Sequence, residues 1–293
     1  MSSYAEFLAA KVAAAPAYGH TVEPEEVHPF LHPFQRDIVV WAVERGRAAI
    51  WTTTGTGKTV IQLEWARLSG RTSLIVAPLA VCFQTVREAR DRLGLSVTYV
   101  RSGDDLNGPG LWITNYEMMD RFDPTMLDAV VLDEASILKN ETGKTRTRLI
   151  KHFIGVPRRL ACTATPAPND SDELTSQAEF LGICSRTDML ATYFIHDEDG
   201  WRVKRHAREP MFRWMASWAI AMLKPSDLGY SDDGYQLPGL GIVADVVDAN
   251  MAPPDGQLFA SASDIGGVGG RARVRRETTA ARVSRALEII GAD

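Results

Sequence analysis

Cysteine is scarce in this sequence: three residues, Cys82, Cys162 and Cys184, stand far apart in a chain of 293. Odd in number and widely spaced, they make neither a disulfide framework nor a zinc site, and they fit a reducing, cytoplasmic setting. The six histidines, His196 and His206 among them, lack spacings such as His-x-x-x-His and are read as structural. Long apolar runs are missing. The longest Trp- and Met-rich one, Trp214 to Leu223, falls well short of the roughly 20 residues that a membrane helix needs. The opening MSSYAEFLAAKVAAAPAYG lacks a basic start followed by a long apolar core, so a soluble, unsecreted chain with no membrane partner is expected. A strong charge of one sign is also absent. The net charge of −5 argues against wrapping nucleic acid with a whole basic surface, yet it permits a local basic cleft. No internal repeat or low-complexity tract stands out.

The composition that remains, 45% hydrophobic and 24% charged, is that of a globular protein with ample core. The length is long for one α/β domain and short for two. From residue 30 to 182 apolar runs (AAIW, TSLIVA, SVTYV, LWIT, AVVL, RLAC) alternate with helical stretches such as VCFQTVREARDRLG and GKTRTRLIKHFI. This pattern predicts a parallel sheet covered by helices on both faces, with the chemistry beyond the carboxyl ends of the strands. Residues 1–29 read as an N-terminal extension and 183–248 as a helical extension. Within the latter, MFRWMASWAIAML places Met211, Trp214, Met215, Trp218 and Met222 at the spacing of a packed core helix. GIVADVV reads as one strand, 249–270 as a linker around APPDG and GGVGG, and 271–293 as an Arg-rich helix with an apolar stripe at Ala280, Val283, Leu287 and Ile290.

Three motifs carry chemistry. The first, AAIWTTTGTGKT, runs from Ala48 to Thr59. The usual phosphate-loop pattern has a glycine where Thr52 stands, so the strict form fails by one residue. What remains is apt for phosphate. Gly55 and Gly57, with Thr54 and Thr56 between and before them, let backbone N–H groups approach phosphate oxygens; Lys58 adds a positive charge, and Thr59 a hydroxyl for magnesium. A helix should follow at once, with its apolar face at Ile61, Leu63, Trp65 and Leu68. A plain Gly-Thr turn is the competing reading.

The second motif, AVVLDEAS, runs a buried strand into Asp133 and Glu134. Two carboxylates there can hold a magnesium ion and polarise a water, although a solvated turn has the same sequence. The third, RLACTATPAPND, ends a strand in Thr163, Ala164, Thr165 and Pro166. Its hydroxyls could sense the carboxylates and link nucleotide state to a second ligand. On GKTRTRLIKHFI, Lys144, Arg148 and Lys151 share one face, while Leu149, Ile150 and Phe153 share another. The basic face suits a phosphate backbone and equally suits plain solvation.

In this order the motifs resemble the first RecA-like lobe of superfamily-two helicases, in the branch with Swi/Snf-type DNA translocases and phage-encoded DEAD/DEAH-type helicases. The likeness spans most of residues 30 to 248. It includes LHPFQRDIVVW, similar to the family's adenine-reading segment, with Gln35 at the position of the amide. LIVAPLAV and ITNYEMM look like motifs Ia and Ib. The resemblance implies an α/β, RecA-like P-loop NTPase lobe using ATP and magnesium, in which Lys58 and Thr59 hold phosphates and the metal. Asp133 would hold magnesium, Glu134 activate water, and Thr163 and Thr165 couple the sites. Nucleic acid, duplex DNA favoured, would pass near Pro78, Leu79, Thr114, Asn115 and Tyr116. The family's Gln-x-x-Gly-Arg-x-x-Arg motif, carried by a second lobe, is not found in this sequence. The resemblance therefore implies a first lobe truncated before the second, with the terminal helix as the opening helix of that lobe. An ATP-dependent helicase or translocase is expected; a nucleotide- and DNA-binding module without turnover, or half of a split enzyme, is the alternative.

Overall fold

The computed structural model describes residues 14–139, 144–167, 170–197, 200–235, 241, 243–247 and 275–291, which divide into two compact units, 1–236 and 237–293. In the first unit seven parallel strands form one sheet: β1 (Arg47–Thr52), β2 (Thr72–Ala77), β3 (Val97–Tyr99), β4 (Gly110–Asn115), β5 (Ala129–Asp133), β6 (Arg158–Thr163) and, later in the chain, β9 (Ala219–Met222). Their order is β3-β4-β2-β5-β6-β1-β9. Six of them were legible as apolar runs because a sheet covered on both faces needs no polar alternation.

The period-two geometry of the strands sends alternate side chains into two separate cores. Ala49, Trp51, Leu74, Val76, Val130, Leu132 and Ala161 point into one. Ala48, Ile50, Ile75, Ala77, Val131, Leu160 and Cys162 point into the other. Helices α1 (Pro33–Arg45), α2 (Lys58–Leu68) and α3 (Leu79–Leu93) cover the second. Helices α4 (Lys144–Phe153), α5 (Leu174–Leu181), α6 (Arg186–Tyr193) and α7 (Arg208–Met215) cover the first.

The region after residue 182 differs from the helical reading. The core helix expected over 211–223 stops at Met215, and Ala219–Met222 becomes the edge strand β9, paired in register with Ala49–Thr52. Met211, Trp214, Met215, Trp218 and Met222 are all buried as their spacing suggested, but two elements share them. Trp218 packs edge-on against both Trp51 and Trp214, so the turn between helix and strand is itself core. The same region also holds an antiparallel hairpin, β7 (Phe194–Asp197) with β8 (Gly200–Val203).

In the second unit, the described residues of GIVADVV form no strand. Val243 and Val246 are 91% and 84% exposed, and a strand without a pairing neighbour has no ladder to hold it. The helix α8 (Thr279–Ile290) is present, and Val283, Leu287, Ile289 and Ile290 are all exposed on it. The stretch 249–270, read as linker, lies outside the described residues, as do 1–13, 271–274 and 292–293.

Candidate functional site

The glycine loop joins the carboxyl end of β1 to the N-terminus of α2, so the backbone N–H groups of the helix start face outward from the sheet edge, where an anion is favoured. Gly55 and Gly57 both adopt left-handed backbone, with φ of 87° and 85°. Gly57 is doubly constrained, because a Cβ there would lie 2.3 Å from the Gln35 amide nitrogen. Thr52, standing where the usual pattern has glycine, is the last residue of β1, and an extended strand residue needs no glycine. The loop is tied down on three sides. The Thr56 hydroxyl donates to the Thr53 carbonyl at 2.7 Å, the Thr53 hydroxyl donates to the Leu223 carbonyl at 2.7 Å just past β9, and Lys58 Nζ donates to the Thr52 carbonyl at 3.0 Å. Thr54 and Gly55 stay exposed at its tip, and Thr59 is half-buried on the first turn of α2.

Asp133 and Glu134 leave the end of β5, between β2 and β6. Asp133 is 9% exposed, and burial raises its carboxyl pKa; Gln62 and Lys58 oppose that shift, while Glu134 adds to it. Gln62 is fully buried and adjoins this carboxylate, yet neither its amide nitrogen nor its amide oxygen makes a hydrogen bond of regular geometry with the protein. Glu134 is, among the described residues, the single non-glycine with positive φ, at 57°. Such strain persists only where the surrounding structure enforces it, and it concentrates at functional sites. The Glu134 carboxylate lies 3.4 Å from the Thr163 hydroxyl, which in turn accepts the Thr165 backbone N–H at 3.1 Å. The two threonines expected to couple the sites are therefore in one chain of contacts with the carboxylate. One residue that no motif flagged extends it. Gln177 donates to the Pro166 carbonyl at 2.9 Å and accepts from the Trp51 indole at 2.8 Å, which ties the threonine turn to the strand that carries the glycine loop.

The donor set fits a hard divalent cation. Among the described residues no three His, Cys, Asp or Glu side chains form a cage. Magnesium, however, binds through one or two carboxylates and substrate phosphates, which matches one buried Asp133 at the strand end with the Thr59 hydroxyl on the adjacent loop.

Gln35 sits in the first turn of α1 and is 3% exposed. Its amide donates to the Thr56 carbonyl at 2.9 Å and accepts the His32 backbone N–H at 2.9 Å, so it braces the glycine loop directly. A cleft of about 320 Å³ opens beside it, bounded also by Phe30, Gly55 and Gly57.

The residues expected along nucleic acid divide. Pro78 and Leu79 open α3 at the end of β2, and Leu79 is 51% exposed, as is its neighbour Phe83 at 53%. Thr114, Asn115 and Tyr116 are buried and work inside the lobe. The Tyr116 hydroxyl donates to the Asp133 carbonyl at 2.6 Å, and Asn115 bonds Tyr99 and Glu117. Lys144, Arg148 and Lys151 are all exposed on α4, with Arg148 paired to Asp120.

Residues 54–192 match the family model of the SNF2-related domain. The match covers just under half of the chain. Over 177 residues the chain is 26% identical to the mouse "DNA annealing helicase and endonuclease ZRANB3", a match that covers 54% of this chain and 16% of that protein. Among solved structures, the SWI2/SNF2 ATPase core of Sulfolobus solfataricus in complex with double-stranded DNA superposes with a TM-score of 0.60 at 19% identity, over 73% of this chain and 48% of that one. The same ATPase core domain, in a further structure, gives a TM-score of 0.56 at 19% identity over 72% and 47%. The chain therefore spans about half the length of these structures and about a sixth of the mouse protein. The RecA-like α/β fold is shared with them. Among the described residues no helix is long and apolar enough to cross a membrane.

Proposed function

We propose that this chain is the ATP-binding lobe of an ATP-dependent nucleic-acid translocase, acting in the cytoplasm, with duplex DNA as the favoured track. One observation carries the reading: at a single sheet edge the glycine loop with Lys58, the paired carboxylates Asp133 and Glu134, and the Thr163–Thr165 turn come together, the last two in direct contact. Lys58 would leave the Thr52 carbonyl for the β- and γ-phosphates, and Thr59 and Asp133 would hold magnesium. The metal supplies neutralisation of the phosphate charge. Glu134 accepts the proton of the attacking water, and its contact with Thr163 passes the loss of the γ-phosphate to the turn that follows β6.

Lys58→Ala is expected to weaken ATP binding by at least roughly a hundredfold, the scale of two lost charge-assisted hydrogen bonds. Calorimetric titration of the variant checks this, and unchanged affinity would remove the cradle assignment.

DNA contact is assigned to Lys144, Arg148 and Lys151. Because the chain is acidic, binding should be modest and steeply salt-dependent. Reversing all three charges should flatten the slope of log affinity against log salt by up to roughly 3, since each phosphate contact contributes about 0.9. A variant with the parent's affinity and slope would show the face to be solvated only.

The exposed apolar side chains Val283, Leu287 and Ile290 on α8 favour a second, narrower reading alongside the first. On that reading the chain binds nucleotide and DNA but needs a second RecA-like lobe, on the same polypeptide or another, to turn over.

A further inference from the structure

The cleft beside Gln35 has a wall from the far end of the first unit. After β9 the chain makes a short 3-10 helix, Pro225–Leu228, and then folds back toward the start of α1. Asp232 fastens this turn: it accepts the Ser226 N–H at 2.8 Å and the Ser226 hydroxyl at 2.9 Å, and it pairs with Lys224 at 3.1 Å. Asp227 caps the other side by accepting the N–H groups of Leu223 and Lys224 at 2.7 and 3.1 Å. The Tyr230 hydroxyl reaches Asp37 on α1. Residue 235 is thereby delivered onto the adenine-reading segment. The Tyr235 ring stands edge-on to Phe34 at 5.4 Å and to His32 at 5.9 Å between centroids. Asp233, Gly234 and Tyr235 line the cleft together with Gln35, Gly57 and Phe30.

The lining has the chemistry of a nucleoside pocket. It offers the rings of Phe30, His32 and Tyr235, the Gln35 amide, the Asp233 carboxylate and the Arg92 guanidinium, and it continues directly into the glycine loop that would hold the phosphates. A volume of about 320 Å³ suits a flat heterocycle with its sugar. We propose that the 225–235 turn forms the outer wall of the nucleobase pocket, with Tyr235 in contact with the adenine ring and the Asp233 carboxylate accepting from the ribose hydroxyls. The inference rests on the ATP-binding reading above and adds a second source of base recognition, remote in sequence from Gln35. The same turn abuts the end of β9, whose following carbonyl at Leu223 holds the glycine loop through Thr53, so base contact and loop position are mechanically joined.

The test titrates magnesium-ADP and inorganic tripolyphosphate separately into the full chain. Tyr235→Ala should weaken ADP roughly tenfold or more, the scale of a lost base–aromatic contact, and leave tripolyphosphate unchanged, while Tyr235→Phe restores ADP. Parent-like ADP affinity in Tyr235→Ala, or equal loss of both ligands, would overturn the proposal. On the unaltered protein, photolabelling with 8-azido-ATP should mark the peptide containing residues 225–235, and labelling confined to residues 28–60 would count against it equally. The two readings separate cleanly. If Lys58→Ala loses both ligands while Tyr235→Ala loses neither, the pocket wall fails and the ATP site stands; if Lys58→Ala changes nothing, or the parent binds neither ligand, both fall.

Discussion

Glu134→Gln should bind magnesium-ATP as the parent does and hydrolyse it roughly a hundredfold to ten-thousandfold more slowly, the range that a positioned general base supplies. The substitution keeps the shape of the side chain and its reach to the Thr163 hydroxyl at 3.4 Å, but it removes the proton acceptor. The backbone at residue 134, held at φ 57°, gives this carboxylate a place that an ordinary strand extension would not reach. Asp133→Asn should behave differently. Its carboxyl pKa is raised by burial, and it lies deeper than Glu134, so its loss should show first as a higher magnesium requirement. Single-turnover and steady-state hydrolysis, measured in a preparation whose parent is active, tell the two apart. Parent-rate hydrolysis by Glu134→Gln would end the base assignment.

How much of this site was legible depended on whether its residues are joined by local chemistry or by folding. The glycine loop and the strand-end motifs could be read because each is a strand, a turn and a helix start in one short stretch. The threonine at position 52 looked like a defect only while its backbone was unknown; as the last residue of β1 it needs no special conformation. Edge strand β9 was missed for a physical reason. Four residues are too few to show a period of two, and the Trp and Met residues around them fall by chance on a helical stripe. Its register comes from β1, which lies far away in sequence. The positive φ of Glu134 had no local signal at all, and the places of Gln62 beside Asp133 and of Gln177 between Trp51 and Pro166 had only a weak one. An internal glutamine on an apolar helix face does flag a polar partner in the core, and both glutamines sit on such helices. Tyr235 could be placed only once the return of the chain after β9 was known.

The other large effect concerns the arginines that this sequence does not supply in the expected motif. In phosphate-loop NTPases an arginine finger is worth roughly 10³ to 10⁵ in rate, because it stabilises charge that develops only in the transition state. On the proposed reading, ground-state binding would rest on Lys58, the loop amides and the cleft beside Gln35. Residues 1–293 should therefore bind ATP well and turn it over slowly, even with saturating duplex DNA. Adding a second RecA-like lobe should raise DNA-stimulated hydrolysis by about the finger's contribution. The surface through which it docks is expected to be α8, where Val283, Leu287 and Ile290 are 54%, 63% and 71% exposed, far more apolar side chain than a solvated helix of that length needs. Charged substitutions at these three positions should abolish the stimulation without changing ATP affinity, since none of the three lines the cleft beside Gln35. The measurement is a DNA-dependent ATPase assay of residues 1–293 alone and with the second lobe, supplied by a longer form of the chain or by the product of the neighbouring reading frame. Robust DNA-stimulated turnover by the chain alone, monomeric by light scattering and abolished by Glu134→Gln, would show that this lobe completes its own active site.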